Sequence, residues 1–158
     1  MFNIFFFIYN IDGMMNYLLH LLSFLAILCV CGCTAQKYSP DTYTGTRLYF
    51  GSGGGITGAV TTYCLLDNGR LFRAEDLKES FERAGKVPAK KRKALFEQCQ
   101  NLDIHQYKIS RPGNLYHFIE LRDEAGQTRL TWGATDYQPA PEVLELYREL
   151  MAAVSRGK

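Results

Sequence analysis

The sequence predicts an α+β domain: a small antiparallel sheet of about four to five strands with helices packed on one face, in ββ-α-ββ-α order. Two observations predict it. Runs of alternating apolar and polar residues occur in two groups, each closed by a tight-turn signal and each followed by a stretch with an apolar stripe at helical spacing. The links between strands are short and polar, which favours antiparallel pairing.

The chain opens on a segment that does not belong to this domain. Tyr17–Val30 is uncharged and apolar. As a helix it covers roughly 21 Å, short of a hydrocarbon core of about 30 Å, so a cleaved signal segment fits better than a permanent span. It ends in Val30-Cys31-Gly32-Cys33, which resembles a bacterial lipobox. Cys33 is the expected acylation site, because small Gly32 precedes it and polar Thr34-Ala35-Gln36-Lys37 follows; Cys29 follows bulky Leu28 and Cys31 follows β-branched Val30. No Lys or Arg precedes Lys37, and Met1–Gly13 is a second, aromatic-rich segment, so Met14 or Met15 is an alternative start. The expected organisation is a signal peptide over residues 1–32, a lipidated tether over 33–45 and a single α+β domain over 46–155. Acylated (palmitate-bearing) Cys33 would hold the protein to membrane lipid. Thr34 rather than Asp after the lipid cysteine suggests the outer membrane, and the absence of an acidic cluster in Gln36–Pro40 suggests the periplasmic face.

Within the domain, Thr46–Phe50 reads as a strand by β-propensity, and the glycine-dense loop Gly51–Gly58 follows it. Ala59–Leu66 alternates, with Val60, Thr62, Cys64 and Leu66 on one face. Asp67-Asn68-Gly69 is a hairpin signal, and Arg70–Arg73 is a short return strand. Ala74–Ala84 reads as a short helix, with Leu77 and Phe81 four apart and Gly85 as its stop. Pro88 starts a second helix running to about Asn101. Leu115–Leu121 alternates, with His117 and Ile119 on one face and Phe118 and Glu120 on the other. Asp123–Gly126 turns the chain into Gln127–Trp132. Pro141 opens the last helix, whose stripe is Val143, Leu144, Tyr147, Leu150, Met151 and Val154.

The chemistry is sparse. With 18 Lys and Arg against 16 Asp and Glu, the formal charge of +2 is too weak and too mixed for a nucleic-acid partner. Gly53-Gly54-Gly55-Ile56-Thr57-Gly58 matches G-x-G-x-x-G, but β-branched, strand-like residues follow where a dinucleotide site needs a helix, so no cofactor is expected. Ser52 lacks the G-x-S-x-G frame, no H-E-x-x-H or paired-cysteine metal spacing occurs, and Glu120 reads as a solvent-facing sheet residue. A Cys64/His117 pair backed by Asp103 or Asp136 can be drawn, yet no nucleophile, base and electrophile converge, and the chain does not read as an enzyme. Cys64 and Cys99 are either a disulfide of an exported protein or two buried thiols. Lys90–Lys93 is either a solvated helix start or a contact for anionic headgroups. The candidate partner-binding residues are Gly53, Gly54, Gly55, Ile56, Thr57 and Gly58, because dense glycine costs more folding entropy than a plain turn warrants, together with Trp132 at a strand end.

The succession of Gly54-Gly55-Ile56-Thr57-Gly58 after a strand, a strand with Tyr63, Ala94–Cys99, Tyr116-His117-Phe118-Ile119, Arg129-Leu130-Thr131-Trp132 and a Pro-started helix resembles the emfourin (protealysin inhibitor) family. The resemblance spans most of Thr46–Val154; Ile56 stands where that family carries an aromatic, and Ala74–Lys93 is extra. The Gly-Gly-Gly-x-Thr-Gly and Leu-Thr-Trp-Gly stretches also resemble lipoproteins of the Bacteroidetes type. The first resemblance implies a binding domain that inhibits thermolysin-like metallopeptidases, with Gly53–Gly58 as a candidate protease contact. The alternative is a structural or accessory envelope lipoprotein that binds a protein or peptide.

Overall fold

The computed structural model describes residues 39–75 and 80–155, all within the unit Tyr38–Lys158. The strands are β1 (Arg47–Gly54), β2 (Val60–Leu66), β3 (Arg70–Glu75), β4 (Glu82–Lys86), β5 (Ser110–Arg111), β6 (Leu115–Asp123) and β7 (Gly126–Trp132). The helices are α1 (Ala89–Asn101) and α2 (Pro141–Ser155), and Ile104–Gln106 makes one 3-10 turn. The strands form a single sheet in the order β4-β3-β2-β1-β6-β7-β5. All neighbours run antiparallel except β5, which lies parallel to β7.

This corrects the expected architecture. The described residues form one seven-stranded mixed sheet with two helices, a mainly β domain, rather than about four to five antiparallel strands in ββ-α-ββ-α order. Three segments account for the difference. The glycines after Phe50 do not form a loop; β1 runs on through Gly51–Gly54 with both edges paired. Residues 82–86, with 82–84 expected to end the Ala74–Ala84 helix, add a strand to the edge of β3, with Gly85 opposite Leu71 beside a register shift. Phe81 meets Tyr49 edge to face, 5.9 Å between ring centroids, instead of lining a helix stripe. The third segment is β5, two residues long and too short to leave an alternation.

Strand alternation builds two apolar layers. Leu48, Phe50, Leu65, Leu71, Ile119, Leu121, Leu130 and Trp132 form one cluster with Leu95 and Cys99 of α1 and Val143, Leu146 and Leu150 of α2. The opposite face carries Tyr49, Cys64, Leu66 and Phe72, with Tyr43 and Phe81 packed on them. Glu120 lies on that second face and is 2% exposed, so it is not a solvent-facing residue. Arg122 holds it at 2.5 Å and Arg129 at 3.2 Å. The two guanidinium groups stack over the rings of Tyr49 (4.3 Å) and Phe118 (3.9 Å), so the ion cluster is itself a lid on the sheet.

Polar bonds tie the ends of the sheet together. Asp67 accepts from the Tyr43 hydroxyl and from Thr46 N–H (2.9 Å), and Arg47 Nη1 donates to Pro40 O (3.0 Å). His105 bridges the 3-10 turn to the β6–β7 hairpin: its Nε2–H donates to the Asp123 carboxylate at 3.0 Å and its Nδ1 accepts from the Thr128 hydroxyl at 2.8 Å. Burial pushes the Asp123 carboxyl up, but hydrogen bonds from His105 and from the Ala125 and Gly126 amides outweigh it and hold it below the usual carboxylate range. A depressed carboxyl stabilises the fold above the ordinary carboxylate range, and that part is lost as pH falls through its folded value. Asp123→Asn is therefore expected to cost about 1 kcal/mol at neutral pH, a difference that vanishes in acid denaturation curves well below the carboxylate range.

Candidate functional site

The end of the sheet opposite the tether is built by the glycines. Gly51 is flanked by Thr62 and Phe118, and a Cβ there would stand 2.0 Å from the Thr61 carbonyl oxygen. At Gly54, φ is +100° and a Cβ would stand 1.9 Å from the Asn114 carbonyl oxygen. Only glycine lets β2 and β6 approach β1 this closely. The chain then turns tightly: Gly54 N–H donates to Ala59 O (3.2 Å), Gly55 N–H to Asn114 O (2.7 Å) and Gly58 N–H to Gly55 O (3.1 Å). Gly53 and Gly54 are thus strand, and the turn proper is Gly55-Ile56-Thr57-Gly58. No helix N-terminus follows, since Val60 begins β2, so G-x-G-x-x-G has no phosphate-binding geometry here.

The tight turn lifts an apolar side chain into solvent. Ile56 is 106% exposed and Leu115 is 66% exposed; they are the exposed large hydrophobic residues of the described chain. Leu115 is the register partner of Gly54, and its Cδ2 would stand 3.3 Å from a Cβ on Gly55. Ile56 and Leu115 therefore stand at the same end of the sheet as two exposed apolar side chains. Leu115 was not among the residues singled out from the sequence. Its alternation with His117, Ile119 and Leu121 reads as core, and only its place beyond the reach of the helices leaves it bare.

At the same end, register places Ser52 opposite His117 and His117 opposite Trp132. Tyr147 of α2 completes the group, with ring centroids 5.1 Å from His117 and 5.3 Å from Trp132. The Tyr147 hydroxyl donates to Gly51 O at 3.2 Å, and its oxygen lies 3.1 Å from His117 Nδ1. With the phenolic proton on Gly51 O, Nδ1 of a neutral His117 donates to the Tyr147 oxygen and its lone pair sits on Nε2; with that proton on Nδ1 the roles reverse. Burial pushes the Tyr147 phenol up, against a hydrogen bond from Ser52, so the phenol stays protonated at neutral pH. The group offers an exposed imidazole held by Tyr147, on the same face of β6 as Leu115. That suits hydrogen bonding or ligation by a partner, not activation of Ser52.

Trp132 is only 4% exposed, so it supports His117 and Tyr147 from beneath instead of meeting a partner itself. The Cys64/His117 pair does not assemble: His117 faces the helices, while Cys64 lies in the cluster on the other side of the sheet. Asp103 caps the 3-10 turn and Asp136 pairs with Arg111 at 3.3 Å. Cys64 and Cys99 are free thiols, and they cannot join because the sheet separates Cys64 from the α1 residue Cys99. Among the described residues no three His, Cys, Asp or Glu side chains are placed to hold a metal, and no helix is long and apolar enough to cross a membrane. Cys33 lies outside the described residues. No protein-family model matches the chain, and no curated protein matches it.

Two expectations follow from this geometry. Gly54→Ala is expected to cost about 3 kcal/mol or more, from the backbone clash added to the strained φ, whereas Gly58→Ala, whose Cβ meets nothing within 4 Å, costs only the left-handed backbone penalty of about 1 kcal/mol; urea denaturation of the pair checks the difference. Burial pushes both thiols up to about 12, so Cys64 and Cys99 should resist a thiol reagent at neutral pH in the folded protein and react after unfolding without a reductant.

Proposed function

We propose that the chain is a lipid-anchored envelope protein whose domain acts by binding, and that it inhibits thermolysin-like metallopeptidases. The observation that carries the binding reading is the exposure of Ile56 and Leu115 at the glycine-turn end of the sheet. Two large apolar side chains are left in water at a turn locked by backbone hydrogen bonds, at a cost that a purely structural turn would not carry. An exposed apolar side chain on a tight turn fits a concave specificity pocket, and its rigid backbone loses little entropy on docking. His117, exposed and held at Nδ1 by Tyr147, adds a polar contact of the kind that a peptidase cleft with a metal or a proton donor would satisfy.

The position of the glycine turn agrees with an anchored binder. The tether reaches β1 at Arg47, and the glycine turn lies beyond Gly54 at the other end of that strand, roughly 25 Å away. The likeness to emfourin supplies the class of partner, and export supplies the meeting place.

Titration of the detergent-solubilised full chain against a thermolysin-like enzyme tests the reading. Stoichiometric loss of peptidase activity is expected, with Ile56→Asp raising the inhibition constant about thirtyfold or more while leaving thermal stability unchanged. Full peptidase activity at micromolar chain contradicts it.

A further inference from the structure

We propose that the end of the domain where the tether enters is a docking surface for anionic phospholipid headgroups, formed by Lys86, Lys90, Arg92 and Lys93. The inference rests on the reading of Cys33 as a lipid anchor.

The topology gathers these residues. Strand β4 ends at Lys86, the register partner of Arg70 at the start of β3, so both lie at the same end of the sheet as Arg47, the first residue of β1. Val87 N–H donates to Gly69 O at 2.8 Å, which pins the chain there, and α1 begins two residues later. The basic run at the start of α1 is thereby set beside the tether. Asp67 makes the link concrete. It accepts from Tyr43 and Thr46, and it lines one groove together with Lys90, Arg92, Lys93 and Glu97.

The basic charge at this end is concentrated on the α1 side, while Asp67, Asp123 and Glu124 line a second groove beside Thr44–Thr46. Helix α1 has no acidic residue in its first turn, so its lysines stand at the positive end of the helix dipole, a mildly unfavourable place in water. The neighbouring carboxylates are mostly engaged: Asp67 by the tether, Asp123 by His105, Glu149 by Lys91 and Glu97 by Lys93 at 3.6 Å, with Glu124 on the adjoining hairpin. Lys86 and Lys90 are exposed, and the Lys93 side chain remains 75% exposed in its pair. An anionic surface would relieve this excess.

The length of the tether supplies the occupant. Five residues separate Cys33 from Ser39, and the six steps between them span roughly 20 Å when extended, about two to three Debye lengths at physiological salt. A bilayer holding an acyl group on Cys33 is thus always within reach of this end, and each lysine near an anionic surface favours contact about fivefold.

The test uses the full lipidated chain in vesicles of phosphatidylcholine, with or without phosphatidylglycerol. A water-soluble amine reagent labels the lysines, and mass spectrometry reads each rate against Lys108, which precedes the edge strand β5 on the far side of the sheet. Labelling of Lys90 and Lys93 is expected to slow about tenfold when phosphatidylglycerol is present and to recover at high salt. In the Lys90→Gln, Lys93→Gln double variant, Lys86 should lose its protection too. Equal labelling in the two vesicle types overturns the proposal and leaves the anchor intact. A chain that does not float with pure phosphatidylcholine vesicles overturns the anchor reading, and this one with it.

Discussion

Strand β1 has a neighbour on each edge, and at Gly51 and Gly54 in its second half a neighbour comes too close for any side chain. The Thr61 and Asn114 carbonyls occupy the space that a Cβ on Gly51 or Gly54 would need. Everything else is arranged around this strand. Its first half contributes Leu48 and Phe50, both fully buried, to the layer beneath the helices, and Tyr49 to the other layer. Its second half carries no bulk, which lets β2 and β6 close on it and carry their register to the turn. The glycines look like a flexible insertion in one dimension. In three they are the condition for the central pairing, and they fix where Ile56, Leu115 and His117 stand.

Burial on the helix-free face has a different origin. That face is closed by charged groups lying flat: Arg122 and Arg129 hold Glu120 between them and cover Tyr49 and Phe118 with their guanidinium planes. Such a lid stabilises only as a unit. A buried carboxylate without both arginines would carry an uncompensated charge into the sheet, so the three residues and two rings form one structural element. The segment bearing Tyr43 and Pro40 joins this face through Asp67 and Arg47, so the tether is part of the domain from Ser39 onward.

Alternation and punctuation made part of this legible. β6, the Asp123–Gly126 turn, β7 and the two helices that follow Pro88 and begin at Pro141 stand where period and proline place them. What was not legible has specific causes. Alternation cannot be seen in Gly51–Gly54, where the Ser52 side chain alone marks a face. Residues 82–86 are short and mostly polar, and they form a strand only because β3 offers an open edge. The faces of β2 could be separated, yet nothing in the spacing said which one the helices would cover, so the positions of Cys64 and Cys99 on opposite sides of the sheet stayed hidden. At the candidate site, the glycine turn and Trp132 were visible in the sequence. The exposure of Leu115 and the bonds from Tyr147 to Gly51 and His117 depend on pairing across the chain and were not.

The measurement that bears most directly on this architecture is residue-resolved amide hydrogen exchange across β1 and its turn. If the glycines are a paired strand, the Gly54 and Gly55 amides, donating to Ala59 and Asn114, exchange slowly and in step with Phe50. Exchange of Gly53–Gly55 at the rate of an unstructured chain, with Phe50 still protected, would make the glycine run a loop and contradict the placement of Ile56 and Leu115.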